Sequence, residues 1–215
     1  MLLRDVPLIS VSDLSHSYSA KPVFSGLSFE VSPSDICLIT GPSGIGKTTL
    51  LSLVGAILPP QAGNITYNPV LIPREHGFGY AFIDGPFFEN LSVRENVLLL
   101  QSFSDAPIES SFVDELLHYF EISTLQSMPL ISLSAGQRER VNFVRALVHK
   151  PKVLILDEPG ANLDARLFEK LLLSIRNLQK EQQTAFVIVS HDSRFLDIAS
   201  MRIEFSENST PTVIY

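Results

Sequence analysis

The sequence predicts an α/β fold: a mainly parallel sheet core, an antiparallel β lobe and an inserted α-helical lobe. Three apolar stretches carry that prediction. Ile36-Cys37-Leu38-Ile39 has strand character and leads into the glycine-rich segment from Gly41 to Thr48, behind which a helical pattern starts at once. Val153-Leu154-Ile155-Leu156 and Ala185 to Ser190 lack the polar alternation of half-buried strands, which suits parallel strands covered on both faces. Asp157-Glu158 and His191 then follow these runs at the strand ends, where α/β sheets gather their ligands.

The remaining elements follow in chain order. Leu8 to Leu14 and Leu27 to Val31 alternate as strands, with Ser17-Tyr18-Ser19-Ala20-Lys21-Pro22 between them as a turn. Helical spacing runs from Lys47 to Leu58 until Pro59-Pro60-Gln61-Ala62-Gly63 stops it, and Asn64 to Tyr67 and Phe78 to Ile83 read as strands. Ser92 with Glu95 three residues on is a capping box that opens a helix to Gln101. Ser104 to Pro107 is a loop, and Glu109 to Phe120 places apolar residues at 112, 113, 116, 117 and 120, the spacing of a helix face. Ser134 is the N-cap of a helix that closes at His149 before Pro151. Asp164 to Lys180 is helical, and Met201 to Phe205 and Thr212 to Ile214 are the last strands. The chain thus divides into a β lobe (1–35 and about 62–80), a core (about 36–61 and 151–215) and a helical lobe (about 84–150) within a single domain.

Gly41-Pro42-Ser43-Gly44-Ile45-Gly46-Lys47-Thr48 is a G-x-x-x-x-G-K-[ST] phosphate loop in its strand-to-helix setting. Glycines let such a loop curl and turn its N–H groups toward phosphate oxygens, at the positive end of the helix that follows. Lys47 is placed to reach the β- and γ-phosphates, and the Thr48 hydroxyl to ligate Mg²⁺. Tyr18 has two readings from position alone, a platform for a nucleotide base or an exposed turn tyrosine.

Composition narrows the class. At 215 residues there is room for one substantial core and one nucleotide site. A net charge of -7 argues against nucleic acid as a partner, which calls for clustered Lys and Arg. No apolar run approaches the ~20 residues that span a bilayer, and the first residues show no secretory pattern. Cys37 is the single cysteine, which excludes an intramolecular disulfide and gives it a packing role. The expectation is a cytoplasmic chain that buries part of its 45% hydrophobic residues on a partner.

A phosphate loop alone leaves kinases, GTPases and many ATPases open. Leu133-Ser134-Ala135-Gly136-Gln137-Arg138, Leu156-Asp157-Glu158-Pro159, Asn162-Leu163-Asp164 and Ser190-His191-Asp192 follow it in this order, and no N-K-x-D stretch for guanine is present. From Tyr18 to Asp192 the chain resembles the nucleotide-binding subunits of ABC transporters, with Asn-Leu-Asp most similar to the lipoprotein-release and macrolide-exporter branch. The resemblance implies a P-loop NTPase (RecA-like) core that binds and hydrolyses ATP with Mg²⁺. It makes Glu158 the residue that polarises the attacking water, with His191 as γ-phosphate sensor and Lys47 neutralising charge. ATP contacts run through Tyr18, now as base platform, and through Gly41, Pro42, Ser43, Gly44, Ile45, Gly46, Lys47, Thr48 and Thr49. Mg²⁺ falls to Thr48 and Asp157. Ser134, Ala135, Gly136, Gln137 and Asp164 face the nucleotide of a second subunit, so that two chains, as homodimer or heterodimer, sandwich two ATP beneath separately encoded transmembrane permease subunits. The chain is then peripheral on the cytoplasmic face of the membrane. The alternative is an ABC ATPase that regulates or transmits force to a membrane complex without moving a solute; soluble repair or translation ATPases usually carry two cassettes or long coiled coils, absent here.

Departures from the pattern are visible. Ile83 stands where the family has a glutamine that contacts Mg²⁺ and water, and Asp84 beside it is the candidate substitute. Ala135 replaces the commonest glycine, and Gly160-Ala161-Asn162 replaces Thr-Ser-x. The regulatory C-terminal domain of some importers is not expected. Phe87 and Phe88 serve either a groove for a membrane-subunit helix or packing under the helical lobe.

Overall fold

The computed structural model describes residues 6–18, 21–72, 77–83, 85, 87–99, 108–206 and 210–215. The first half holds β1 (Ile9–Tyr18), β2 (Lys21–Val31), β3 (Ile36–Thr40), α1 (Lys47–Val54), β4 (Ala62–Tyr67), β5 (Phe78–Ala81) and α2 (Val93–Leu98). The second half holds α3 (Ser110–Tyr119), α4 (Ala135–Leu147), β6 (Val153–Asp157), α5 (Ala165–Gln182), β7 (Ala185–Val189), β8 (Met201–Glu204) and β9 (Thr212–Ile214). The loop expected at Ser104 to Pro107 and the end of the helix expected at Gln101 lie outside the described residues.

Two sheets carry the fold. A six-stranded sheet in the order β5-β6-β7-β3-β8-β9 is parallel except for β9, and a three-stranded antiparallel sheet runs β2-β1-β4. The apolar strands β3, β6 and β7 are the inner members of the first sheet, and their side chains alternate between two cores, as the two-residue period of a strand requires. Cys37, Ile39, Val153, Ile155, Val187 and Val189 join α1 and the β lobe. Leu38, Leu154, Leu156, Phe186 and Ile188 join α5 and the helical lobe.

Three expectations are corrected. Ser17, Tyr18, Lys21 and Pro22 are not part of an open turn: β1 and β2 pair as far as Tyr18 opposite Lys21, with register shifts along β1 taking up the polar residues and the positive φ of Asp13. The helix expected to reach Leu58 ends at Val54, because Gly55 caps it and Tyr hydroxyls take over its last carbonyls. Tyr67 donates to the carbonyls of Leu53 and Val54 at 3.2 Å each, and Tyr80 to that of Gly55 at 2.7 Å. Burial pushes both phenols up to about 12. Finally, Phe78 to Tyr80, assigned to the β lobe, belong to β5, the edge of the parallel sheet against β6. Gly79 allows this, since a Cβ there would lie 2.2 Å from the Ala146 carbonyl of α4. Along that edge Phe78, Tyr80 and Phe82 stack as a ladder, with centroids 5.9 and 6.3 Å apart.

The capping predictions hold in detail. Ser92 and Glu95 form the reciprocal box at α2, and Ser134 and Gln137 form one at α4. Among the described residues no helix is long and apolar enough to cross a membrane.

Candidate functional site

The phosphate loop leaves the middle of the sheet, where β3 is flanked by β7 and β8. Two of its glycines are required by crowding as well as by positive φ. A Cβ on Gly41 would sit 2.5 Å from the Phe205 carbonyl, and one on Gly46 would sit 2.1 Å from Val23. The loop is thereby held between the end of β8 and the start of β2. Gly46 is also the N-cap of α1 and supplies no side chain, so the N–H groups of the first turn are not taken by a cap. Lys47 curls back over the loop, its Nζ donating to the carbonyls of Gly41 at 2.8 Å and Pro42 at 2.9 Å. Burial lowers the Lys47 ammonium from its usual range, against the opposing pull of Glu158 and Asp157.

The predicted catalytic residues meet here. Thr48 Oγ1 donates to Asp157 Oδ2 at 3.2 Å, joining α1 to the end of β6. Glu158 has φ +46 and donates its N–H to the Val189 carbonyl at 2.8 Å, which turns its side chain across the end of β7. Its Oε2 accepts from the His191 backbone N–H at 3.1 Å, and its Oε1 lies 3.3 Å from His191 Nε2. That same nitrogen is 3.2 Å from Lys47 Nζ. Lys47, His191 and Glu158 thus form one polar chain beside the loop, with the Thr48 and Asp157 pair next to it.

Tyr18 stands at the end of β1, 58% exposed, with its hydroxyl 3.3 Å from Thr49 Oγ1 and its ring edge-on to His16 at 4.9 Å. It borders a cleft of about 810 Å³ together with Val23, Gly44, Ile45, Gly46 and Thr49, a size that accommodates a small-molecule ligand. Ser43 completes the loop between Pro42 and Gly44.

The residues assigned to a second subunit's nucleotide lie apart, and their side-chain bonds close on their own helices. Ser134 Oγ accepts from Gln137 N–H at 3.3 Å while Gln137 Oε1 accepts from Ser134 N–H at 2.9 Å. Asp164 caps α5 by accepting from Leu167 N–H at 2.9 Å. Ala135 and Gly136 open α4, and a Cβ on Gly136 would lie 2.5 Å from the Asn162 carbonyl. Ile83 is 52% exposed on an apolar groove shared with Phe82, Phe88 and Ile57. Phe87 packs against the core of the helical lobe, as one of the two readings expects, whereas Phe88 is exposed on that groove. Asp84 lies outside the described residues.

Thr48 and Asp157 are the residues that fit a metal. They bring a hydroxyl and a carboxylate oxygen together, and among the described residues no group of three His, Cys, Asp or Glu could cage an ion alone. Such a sparse set of oxygens suits Mg²⁺, which keeps waters and takes phosphate oxygens for the rest of its shell. Sequence reasoning passed over Glu139, whose carboxylate reaches the loop behind Glu158. The available signal was its place three residues after Gly136, on the same helix face.

A family profile described as "ABC transporter" matches residues 24–161. The lipoprotein-releasing system ATP-binding protein LolD 1 of Rhodopirellula baltica is 34% identical over 218 residues, covering 94% of this chain and 95% of that protein. The sn-glycerol-3-phosphate import ATP-binding protein UgpC of Cereibacter sphaeroides is 36% identical over 191 residues, covering 86% of this chain but 54% of that protein, so the chain spans about half of its length. The dimeric ATP-binding cassette MJ0796 bound to ADP and Pi superposes with a TM-score of 0.84 over 95% of this chain and 97% of that one; at 21% identity it speaks for the fold alone.

Proposed function

The chain belongs to the ABC transporter ATP-binding family, and from that premise we propose that it binds and hydrolyses ATP as the motor subunit of a transporter, working as a dimer beneath membrane subunits. The observation that carries the reading is the junction at the phosphate loop, where Lys47, His191 and Glu158 are in polar contact beside the Thr48 and Asp157 pair. The uncapped first turn of α1 and the loop N–H groups hold the phosphates, and Tyr18 offers its exposed ring to the base. Lys47 then exchanges its loop carbonyls for phosphate oxygens and offsets their charge. Glu158 accepts the proton of the attacking water as its oxygen bonds to the γ-phosphorus and the bond to the β-phosphate oxygen breaks. His191 sits between Glu158 and Lys47 and orients both groups toward that phosphate. Thr48 and Asp157 would hold Mg²⁺, which would supply positive charge against the phosphoryl oxygens.

Ser134, Ala135, Gly136, Gln137 and Asp164 are assigned to the nucleotide of the second subunit, so closure of the dimer completes each site. The groove at Ile83, Phe82 and Phe88 is assigned to a helix of the membrane subunit, and its apolar lining supports a position at the cytoplasmic membrane face. UgpC is named for import and LolD 1 for lipoprotein release, so direction and cargo belong to the membrane subunits. The test is Glu158→Gln: ATP turnover falls at least 100-fold, in line with removing one group that acts only in the transition state, while ATP still binds and an ATP-bound dimer accumulates. Wild-type turnover in this variant would falsify the assignment of Glu158.

A further inference from the structure

We propose that Glu139 is a positioning residue for Glu158, tying the helix that carries Ser134 and Gly136 to the loop that aims the catalytic carboxylate. The inference rests on the role proposed above for Glu158. The Glu139 carboxylate accepts from two backbone N–H groups of that loop, those of Gly160 and of Asn162, the latter at 2.9 Å. Bonds from neutral donors to an ionised acceptor are roughly twice as strong as neutral ones, and two on one carboxylate fix direction as well as distance.

The loop needs such a holder because its backbone is held where side-chain-bearing residues rarely sit. Glu158 has φ +46 and Gly160 φ +92, and a Cβ at Gly160 would lie 2.3 Å from the Phe168 ring. A non-glycine residue in this region is strained and persists only when its surroundings over-determine it. Phe168 of α5 closes the loop from one side, Glu139 grips its N–H groups from the other, and the Glu158 N–H to Val189 bond anchors its start. Gly136, one helical turn before Glu139, adds the close approach to the Asn162 carbonyl. The start of α4 and the loop therefore move as one body, so a shift of Ser134 onto a partner's nucleotide is felt at the carboxylate serving the chain's own.

The experiment is ATP turnover and ATP affinity in Glu139→Ala and Glu139→Gln. Loss of the acceptor lets Glu158 drift, and a misplacement of about 1 Å costs up to about 100-fold, so kcat in Glu139→Ala is expected to fall 10- to 100-fold with KM for ATP within about twofold. Gln keeps one acceptor oxygen and retains more turnover than Ala. Hydrogen exchange at the Gly160 and Asn162 amides accelerates in Glu139→Ala, while the amides in the middle of α4 keep their protection. On the Glu158→Gln background, Glu139→Ala still forms the ATP-bound dimer. Glu139→Met keeps side-chain length and helix propensity and replaces Ala if that variant does not fold. Wild-type kcat in the Ala or Met variant overturns the proposal, as does a loss that appears equally in ATP affinity. Failure of the wider reading looks different, since it leaves Glu158→Gln itself active.

Discussion

Two helices of this chain begin at anion-seeking residues, and they begin differently. α1 starts behind Gly46, which has φ +117 and no side chain to cap it, whereas α4 starts behind Ser134, whose hydroxyl and the Gln137 amide close a reciprocal box. The first leaves its N–H groups to a ligand and is braced from outside by Phe205 and Val23. The second is satisfied by its own chain, yet the Ser134 oxygen accepts in the box and keeps its proton for another acceptor. Under the function proposed above, the difference separates a helix start that holds the chain's own phosphates from one that stays stable and idle until a partner's phosphate arrives.

Substitutions can break that comparison, in decreasing order of effect. Ser134→Arg puts a long side chain into the face assigned above to the partner; ATP-dependent dimerisation is expected to vanish by sedimentation, with nucleotide binding by the monomer unchanged. Lys47→Ala strikes the other end: losing a charged partner to the phosphates is worth about 1.5 to 3 kcal/mol, so ATP affinity measured by calorimetry falls roughly 10- to 150-fold. Tyr18→Ala removes an exposed stacking platform at the low end of the usual range, about 1 kcal/mol, or roughly fivefold in affinity, with phosphate contacts intact. Ser134→Ala is the mildest and the sharpest. It deletes the cap without adding bulk, so thermal unfolding reports about 1 kcal/mol of lost stability, and any further loss in dimer affinity isolates the work of the hydroxyl on the partner's nucleotide. Dimerisation as tight as wild type in Ser134→Ala would leave that hydroxyl as a cap and nothing more.

What could be read from the residues alone was whatever a local pattern encodes. The phosphate loop, the Ser92 capping box, the Ser134 N-cap and the buried strands β3, β6 and β7 are short-range signals, and each lies where periodicity and turn chemistry put it. Features that depend on distant neighbours were illegible. Nothing near Gly55 announces that Tyr67 and Tyr80 will take over the last carbonyls of α1 and let it end early. The polar Ser15 and Ser17 hide a strand that continues through its register shifts to Tyr18. β5 shares its apolar character with β4, and only its pairing with β6 assigns it to the parallel sheet. At the site, the order of motifs supplied Lys47, Asp157, Glu158 and His191 but not their contacts. The spacing from Gly136 marked the helix face of Glu139 but not its contacts, because the N–H groups it accepts from lie 21 and 23 residues further along, across a strand and a turn.

The aromatic ladder on β5 bears on how this polypeptide behaves when made alone. Phe78 and Tyr80 on β5, and Phe82 just past its end, lie along a strand that among the described residues pairs on one side only, next to exposed Ile83, Phe88 and Ile57. An unpaired edge beside apolar side chains is a template for other strands and a hazard for solubility. Overproduced by itself, the chain is expected to self-associate through this flank, and a short amphipathic peptide or a co-expressed membrane subunit should keep it monodisperse, so that yield becomes a readout of assembly.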